Sequence, residues 1–520
     1  MCGIYFYLTY NHPNNTLLIE NGNKCKHRGP DNTKSLIFKD SVNFCNILFL
    51  FHRLSINGLN DESNQPFQLE SLPHLICMCN GEIYNYKELA VKYSIELVTD
   101  SDCEIIVHLA NIMPISEFIN QLDGVFSFVL YNNIENIVLI GHDPFGIRAL
   151  YYSNKDNHIS FSSEMKCLDS EYENDVNFFP PGSYGIYDIK DRSLQINSYY
   201  NFDRWKLIED YTEWMIVDST ENIIENIRKK LQNSVKKRLI SDRPMGCLLS
   251  GGLDSSIIAY LLKRNNSDLR TFSIGFKDSP DILSSQKVAD YLGTNHTSII
   301  VTEENMLEAI EQTIYQIESS DITTIRASVP MYLLSKYISE NTDIKVIFSG
   351  EGSDEASGSY LYFHNAPTEN DFQDECIRLL KEVHMFDALR GDKTTAGNGL
   401  EIRVPFFDKE FMDYYMSIDP SKKMIQNGFE KYLLRKSFEF NLPKEIVWRR
   451  KDGFSDGVSK TDKPWYQIIE EYSQSKYNLS ESEMYEMIYK KYYYSNNLPH
   501  YWMPKWSGEL TNPSGRLIID

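Results

Sequence analysis

Three stretches of this chain hold residue types that do chemistry. A cysteine stands second, Ser-Gly-Gly-Leu-Asp-Ser-Ser fills 250–256, and Ser-Gly-Glu-Gly-Ser-Asp-Glu fills 349–355. Removal of Met1, which the small residue behind it favours, would give Cys2 both a thiol and a free α-amine. With ordinary pKa values near 8.5 for the thiol and about 7.7–8.0 for the amine, the amine can take the thiol proton near neutrality. Nucleophile and base then share one residue. At 250–256 an apolar run (245–249) precedes the glycines and another (257–262) follows them, which predicts a strand, a tight turn and a helix start. Glycines allow close backbone approach, and first-turn N–H groups favour an anion, so the stretch reads as a phosphate cradle. It is not the Walker pattern, because no Gly-Lys-Ser/Thr follows. The third stretch sets Glu351, Asp354 and Glu355 close together in an already acidic chain. Their repulsion favours a shared cation, and Mg²⁺ suits oxygen ligands shared with phosphates. Asp254 and Asp354 are the metal candidates.

Two kinds of scaffold are predicted to position these stretches. Alternating or apolar runs at 35–38, 47–51, 75–79, 124–131, 137–142, 151–152, 159–161 and 183–188 read as short antiparallel strands in packed sheets. A helix is expected over 103–110, with Ser101 and Glu104 as a capping box. The stretch 194–214 has no clear period and reads as a crossover. A helix over 220–239 follows, with Ile223, Ile224, Ile227, Leu231 and Val235 on one face. Strands at 269–276, 297–301 and 344–348 then alternate with helices at 283–292, 306–317 and 328–338. That order predicts a mainly parallel sheet whose ligands lie beyond the strands' carboxyl ends.

Bulk properties narrow the function. At 520 residues the chain exceeds one ordinary core. A net charge of −21 argues against nucleic acid or an anionic membrane as partner. No apolar run reaches the roughly 18 residues of a membrane span, and no signal-type segment opens the chain, so the expected location is cytoplasmic. Nine scattered cysteines do not suggest a disulfide framework. Cys77 and Cys79 alternate along one strand face and are read as packing rather than as a zinc pair.

Cys2-Gly-Ile, His27-Arg-Gly-Pro-Asp31, His52-Arg-Leu-Ser-Ile56, Asn80-Gly-Glu-Ile-Tyr-Asn85, Ser101-Asp-Cys-Glu104, Asp143-Pro-Phe-Gly-Ile-Arg148 and Ser163-Glu-Met-Lys166 follow one another in order. The series resembles the glutaminase domain of class II amidotransferases, which implies an N-terminal-nucleophile αββα sandwich cleaving glutamine through a cysteinyl thioester. The resemblance assigns Arg53 to the glutamine α-carboxylate, and Asp102 with Glu82 to its α-ammonium. The segment Leu54, Ser55, Ile56 and Asn57 would line the substrate, and Asn80 with the Gly81 N–H would form the oxyanion hole. His27 and His52 are read as structural, since an α-amine base makes them unnecessary.

Downstream, the 250–256 loop resembles the pyrophosphate loop of the ATP-pyrophosphatase superfamily. Thr271-Phe-Ser-Ile-Gly-Phe276, Thr323-Thr-Ile-Arg-Ala-Ser328, Gly399-Leu-Glu-Ile-Arg-Val-Pro-Phe-Phe-Asp408 and Glu430-Lys-Tyr-Leu-Leu-Arg-Lys436 are similar to the glutamine-hydrolysing asparagine synthetase family. By that resemblance Leu248 and Ile274 meet adenine. Ser250, Gly252, Asp254, Ser255 and Ser256 meet the phosphates, and Ser349 and Gly350 touch the nucleotide. Glu351 handles the intermediate or accepts a proton from ammonia, and Lys451 neutralises charge at the reacting phosphate.

The implied architecture is a glutaminase domain over 2–205 and an α/β adenylating domain over 215–520. The implied substrates are glutamine, aspartate and ATP, with Mg²⁺; the resemblance also admits a homodimer. Neutral water would protonate free ammonia, so a dry path lined by small apolar residues is expected between the sites. Two other readings keep the scaffold: an adenylating relative of the β-lactam synthetase type with another acceptor, and a non-catalytic binding homologue.

Overall fold

The computed structural model describes residues 1–155, 157–170, 175–206, 215–216, 218–451, 453–460, 463–495 and 504–506. Part of the expected crossover, and the terminal Asn512-Pro-Ser-Gly-Arg516, lie outside the described residues.

Two antiparallel sheets form the first part. One contains β1 (Gly3–Thr9), β2 (Asn32–Asp40), β3 (Cys45–Arg53), β7 (Tyr151–Lys155), β8 (His158–Ser162) and β9 (Asn177–Phe178), in the order β2-β3-β1-β8-β7-β9. The other runs β11-β10-β6-β5-β4 and is built from β4 (Leu75–Ile83), β5 (Gly124–Asn132), β6 (Ile137–His142), β10 (Ser183–Asp188) and β11 (Ser193–Ser198). Side chains alternate across a strand, so each sheet has two working faces. Ile4, Phe6 and Leu8 of β1 meet Met78 of β4 and Val129 of β5 in the core between the sheets. Tyr5, between them in sequence, faces the opposite way and packs with Cys25 and Met165. On the far side of the second sheet, Cys77 and Cys79 pack with Leu89, Ile105 and Leu109 of the helices Tyr86–Tyr93 and Ile105–Ile112. Helix Asn15–Asn23 lies against β1, and its Leu18 packs onto the outer face of the first sheet. Helix, sheet, sheet and helix make the expected αββα sandwich.

The expected capping box is not made. Ser101 accepts no capping hydrogen bond, and residues Asp102–Glu104 form a short 3₁₀ turn before the helix. Glu104 accepts instead from the backbone N–H groups of Val98 (2.7 Å) and Thr99 (2.6 Å), bracing the loop that carries Asp102.

The later part is a parallel sheet in the order β14-β13-β12-β15-β16, comprising β12 (Met245–Leu248), β13 (Arg270–Gly275), β14 (Asn295–Ile300), β15 (Val346–Phe348) and β16 (Glu401–Arg403). The chain goes from β12 outward through β13 and β14, then returns to the other flank of β12 as β15. That reversal leaves a crevice beyond the carboxyl ends of β12 and β15. The loops leaving those two strands are 249–252 and 349–352.

Candidate active sites

The first site gathers on the edges of the sandwich. Cys2 leads into β1, and its Sγ lies 3.7 Å from the Leu54 carbonyl oxygen. Burial pushes its thiol pKa up, so forming the thiolate needs a base at hand. The encoded Met1 is buried, and its amine donates to the Leu400 carbonyl at 3.2 Å. Burial lowers that amine's pKa to about 6.

Asn80 and Gly81 sit within β4, not in a turn, paired with Ser127 and Phe126 of β5. Asn80 is fully buried, and neither its amide nitrogen nor its amide oxygen has a partner. Leaving such a group unsatisfied costs about 1–3 kcal/mol, which marks it as a donor held for something else. A side chain at Gly81 would collide with the Val125 carbonyl and the Phe126 backbone, so only glycine fits there.

Asn57 donates to both Glu82 Oε2 and Asp102 Oδ1, and the Ile83 N–H donates to Asp102 Oδ2 at 2.6 Å. Burial raises the Asp102 pKa to about 6. Burial, and then the nearby Asp102 charge, raises that of Glu82. Two buried carboxylates on one amide form a cup that a cation would relieve. Arg53 turns its fork onto the loop beneath it: Nη1 donates to the Asn60 carbonyl (3.0 Å) and Asn64 Oδ1 (2.8 Å), and Nη2 donates to the Asn57 carbonyl (3.1 Å). The later part of the chain holds this loop from outside. Arg243 Nε donates to the Ser55 carbonyl at 2.9 Å, and the Asp242 N–H donates to the Ile56 carbonyl at 3.0 Å.

Both ring nitrogens of His52 are engaged, by Thr33 Oγ1 (2.9 Å) and the Gly22 carbonyl (3.1 Å), and burial lowers its pKa to about 4.

The second site is a cavity of about 190 Å³ at the sheet's switch point. It is lined by Leu248, Ser250, Gly252, Asp254 and Ser255 from the first loop and by Ile274 of β13. Ser349, Gly350, Glu351 and Asp354 from the second loop and Lys451 line it as well. Ser256 does not join them; on the first turn of helix Leu253–Lys263 it folds its hydroxyl back to the Gly252 carbonyl at 2.7 Å. Gly251 has φ +74°, a left-handed conformation that glycine adopts without strain. The two loops touch directly, with Ser353 Oγ donating to Asp254 Oδ1 at 2.8 Å.

Asp254 and Asp354 converge on one positive charge, the Lys431 ammonium. Asp354 also pairs with Lys451, and these two lysines hold its carboxyl well below the usual carboxylate range. Glu351 behaves oppositely. Burial raises its pKa to about 7 despite Arg390 Nη2 at 3.0 Å from Oε1, and its Oε2 is buried without a partner.

Several contributors carried no assigned role in the sequence. Lys431 lies inside the Glu430–Lys436 motif, so motif position was the signal available. Asp387 and Arg390 line the cavity from the helix Asp387–Ala396, whose sequence has no distinctive spacing. Arg28, inside the His27–Asp31 motif, is fully buried and donates from Nε to the Cys2 carbonyl at 2.9 Å.

Apolar residues of both parts meet in one core, Leu54, Ile56 and Ile147 with Leu249, Ile402 and Val404. Beside it lies a buried ionic network: Glu164 pairs with Arg28 (2.7 Å), Lys166 (2.5 Å) and Lys393 (3.3 Å), and Arg403 pairs with Glu401 (2.8 Å). Opposite charges there compensate one another's desolvation, which lets a polar seam stay buried.

A thiol-led sandwich joined to a phosphate loop at a parallel-sheet switch point has the makeup of a two-centre amidotransferase. Residues 1–187 match the glutamine amidotransferase domain family, and residues 226–375 and 365–495 match the asparagine synthase family. The chain is 39% identical over 539 residues to the Mus musculus asparagine synthetase [glutamine-hydrolyzing], covering 95% of this chain and 94% of that one. It is 39% identical over 536 residues to the Gallus gallus asparagine synthetase [glutamine-hydrolyzing], with the same coverage. The chain belongs to the glutamine-hydrolysing asparagine synthetases.

Proposed function

We propose that this chain converts L-aspartate, L-glutamine, ATP and water into L-asparagine, L-glutamate, AMP and diphosphate. Residues 2–205 act as the glutaminase unit and 215–520 as the adenylating unit. After Met1 is removed, the Cys2 amine takes the thiol proton, and the thiolate attacks the glutamine carboxamide. Arg53 holds the α-carboxylate, Glu82 and Asp102 hold the α-ammonium, and Leu54 to Asn57 line the pocket. Asn80 and the Gly81 N–H stabilise the oxyanion. Ammonia leaves, and water hydrolyses the thioester to glutamate.

In the second unit the aspartate β-carboxylate attacks the α-phosphorus of ATP, and diphosphate departs. Ammonia, passed internally, attacks the resulting β-aspartyl-AMP, Glu351 accepts a proton, and AMP leaves. Lys451 offsets charge at the reacting phosphate. Two carboxylates converging on one positive charge beside a phosphate loop fit Mg²⁺, which commonly takes one or two carboxylates and completes its shell with phosphates. Asp254 and Asp354 would hold it, and when bound it supplies charge neutralisation at the phosphates. Nine cysteines, all unpaired, agree with a cytoplasmic location, and a homodimer belongs to the same reading.

The observation that carries the reading is the single cavity in which both loops and the partnerless oxygen of Glu351 meet. Incubation with aspartate, MgATP and amide-labelled glutamine tests it. Labelled asparagine with AMP is expected; ADP and phosphate would overturn the adenylating route.

A further inference from the structure

The helix Asp387–Ala396 belongs to the later part of the chain, yet consecutive residues on it grip both sites. Arg390 donates to Glu351, and Gly391 packs so closely on the Glu351 carboxylate that a side chain there would displace it. The next residue, Asp392, turns to the sandwich and lies with Oδ2 2.8 Å from Arg28 Nη2, an ion pair by distance whose angles are not those of a hydrogen bond. Lys393 pairs with Glu164 at 3.3 Å. Arg28 thus has three anchors. Nε donates to the Cys2 carbonyl at 2.9 Å, Nη1 reaches Glu164 at 2.7 Å, and Nη2 reaches Asp392.

The two acidic anchors are not equivalent. Glu164 is shared with Lys166 and Lys393, so it is held by several charges at once. The ion pairs of Asp392 are with arginines, Arg28 and the more distant Arg148 at 3.8 Å. Without Asp392, the guanidinium would keep only the Cys2 carbonyl and Glu164, and its Nη2 side would be held by no near carboxylate. A second carboxylate at its other amino group holds that side of the guanidinium by ionic attraction, and so steadies the direction of the Nε–H that holds Cys2.

We propose that Asp392 is a positioning residue for the Cys2 thiol, acting through Arg28. The proposal rests on the reading of Cys2 as the glutamine-cleaving nucleophile. It makes the thiol's placement depend on a helix that also orients Glu351, so one element sets the geometry of both reactions. A misplacement of about 1 Å at a reacting group costs about 100-fold in rate, which sets the scale expected here.

The test uses the full chain with N-terminal Cys2 verified by mass. For Asp392→Asn, the glutaminase kcat is expected to fall about 30-fold, with the glutamine KM and ammonia-supported asparagine synthesis each within about threefold of wild type. Asp392→Glu, which restores the charge one methylene further out, is expected to recover part of the lost kcat. A glutaminase kcat within threefold of wild type would overturn the proposal, as would parallel loss of both activities. Should Asp392→Asn fail to fold, Asp392→Glu decides alone. It is expected to lose about 5–10-fold in glutaminase kcat with ammonia-supported synthesis intact, and a wild-type kcat would overturn the proposal. A wild-type chain that bears N-terminal Cys2 yet hydrolyses no glutamine would instead refute the role of Cys2 itself.

Discussion

Arg390 donates to Oε1 of Glu351 at 3.0 Å, yet the carboxyl retains a pKa raised to about 7, because burial outweighs the neighbouring cation. A group poised there is charged above neutrality and protonated below it, which suits a proton acceptor working near pH 7. With free NH₃ held constant at each pH, ammonia-supported asparagine formation should rise as pH passes through about 7 and then level. Glu351→Gln should remove that rise and lower the plateau by about 10²–10⁴-fold. A flat profile in the wild-type chain would exclude Glu351 as the base.

Asn80 separates catalysis from stability. Asn80→Ala should reduce glutaminase kcat by about 10²–10³-fold, the usual effect of deleting one oxyanion donor. Because the amide has no hydrogen bond to lose, thermal stability should fall little or rise, as an unsatisfied polar group worth about 1–3 kcal/mol is removed. Glutamate release and a melting curve on the same preparation decide it; a large stability loss with unchanged kcat would reverse both roles.

Lys431 holds together two carboxylates that would otherwise repel. Lys431→Met should cost about 1–3 kcal/mol, less than a fully buried pair, since Asp254 and Asp354 retain 20% and 28% exposure. Millimolar Mg²⁺ should restore part of that loss in a denaturation experiment without nucleotide, because a divalent cation can take the same two carboxylates. Indifference of the variant to Mg²⁺ would count against Asp254 and Asp354 as metal ligands.

While Met1 is attached, the nitrogen of Cys2 is a peptide amide and cannot take the thiol proton. A chain whose N-terminus cannot be trimmed should show no glutamine-supported synthesis while keeping ammonia-supported synthesis within about threefold, since the amine activating the thiol would be missing. Intact-mass measurement beside both assays checks this. Glutaminase activity in the untrimmed form would point to another base.

The sequence made the two loops legible because each has long, locally specified chemistry: glycines for the turn, a strand before it and a helix after it. The αββα sandwich followed from the strand alternation and the resemblance together. Contacts made across the chain were not legible. Ser256 shares the loop motif, but its place in the first helical turn makes Gly252 its nearest acceptor. The Ser101–Glu104 box had the right residues, yet Glu104 found two N–H groups at Val98 and Thr99. Asp392 and Arg28 are 364 positions apart, and no local pattern joins them. The buried ionic network around Glu164 was not legible for the same reason: each charge looks like surface until its partner arrives from elsewhere.

Asn80 and Gly81 are rungs of a ladder rather than tips of a loop. The backbone N–H of Asn80 faces β5 and should exchange with solvent as slowly as those of the sandwich interior, since strand pairing must open before it is released, whereas the Gly81 N–H lies on the strand's other side with those of Cys79 and Ile83. The pocket's oxyanion wall cannot breathe on its own. A compound shaped to it would meet one geometry throughout turnover, and resistance would have to arise in the residues that surround it.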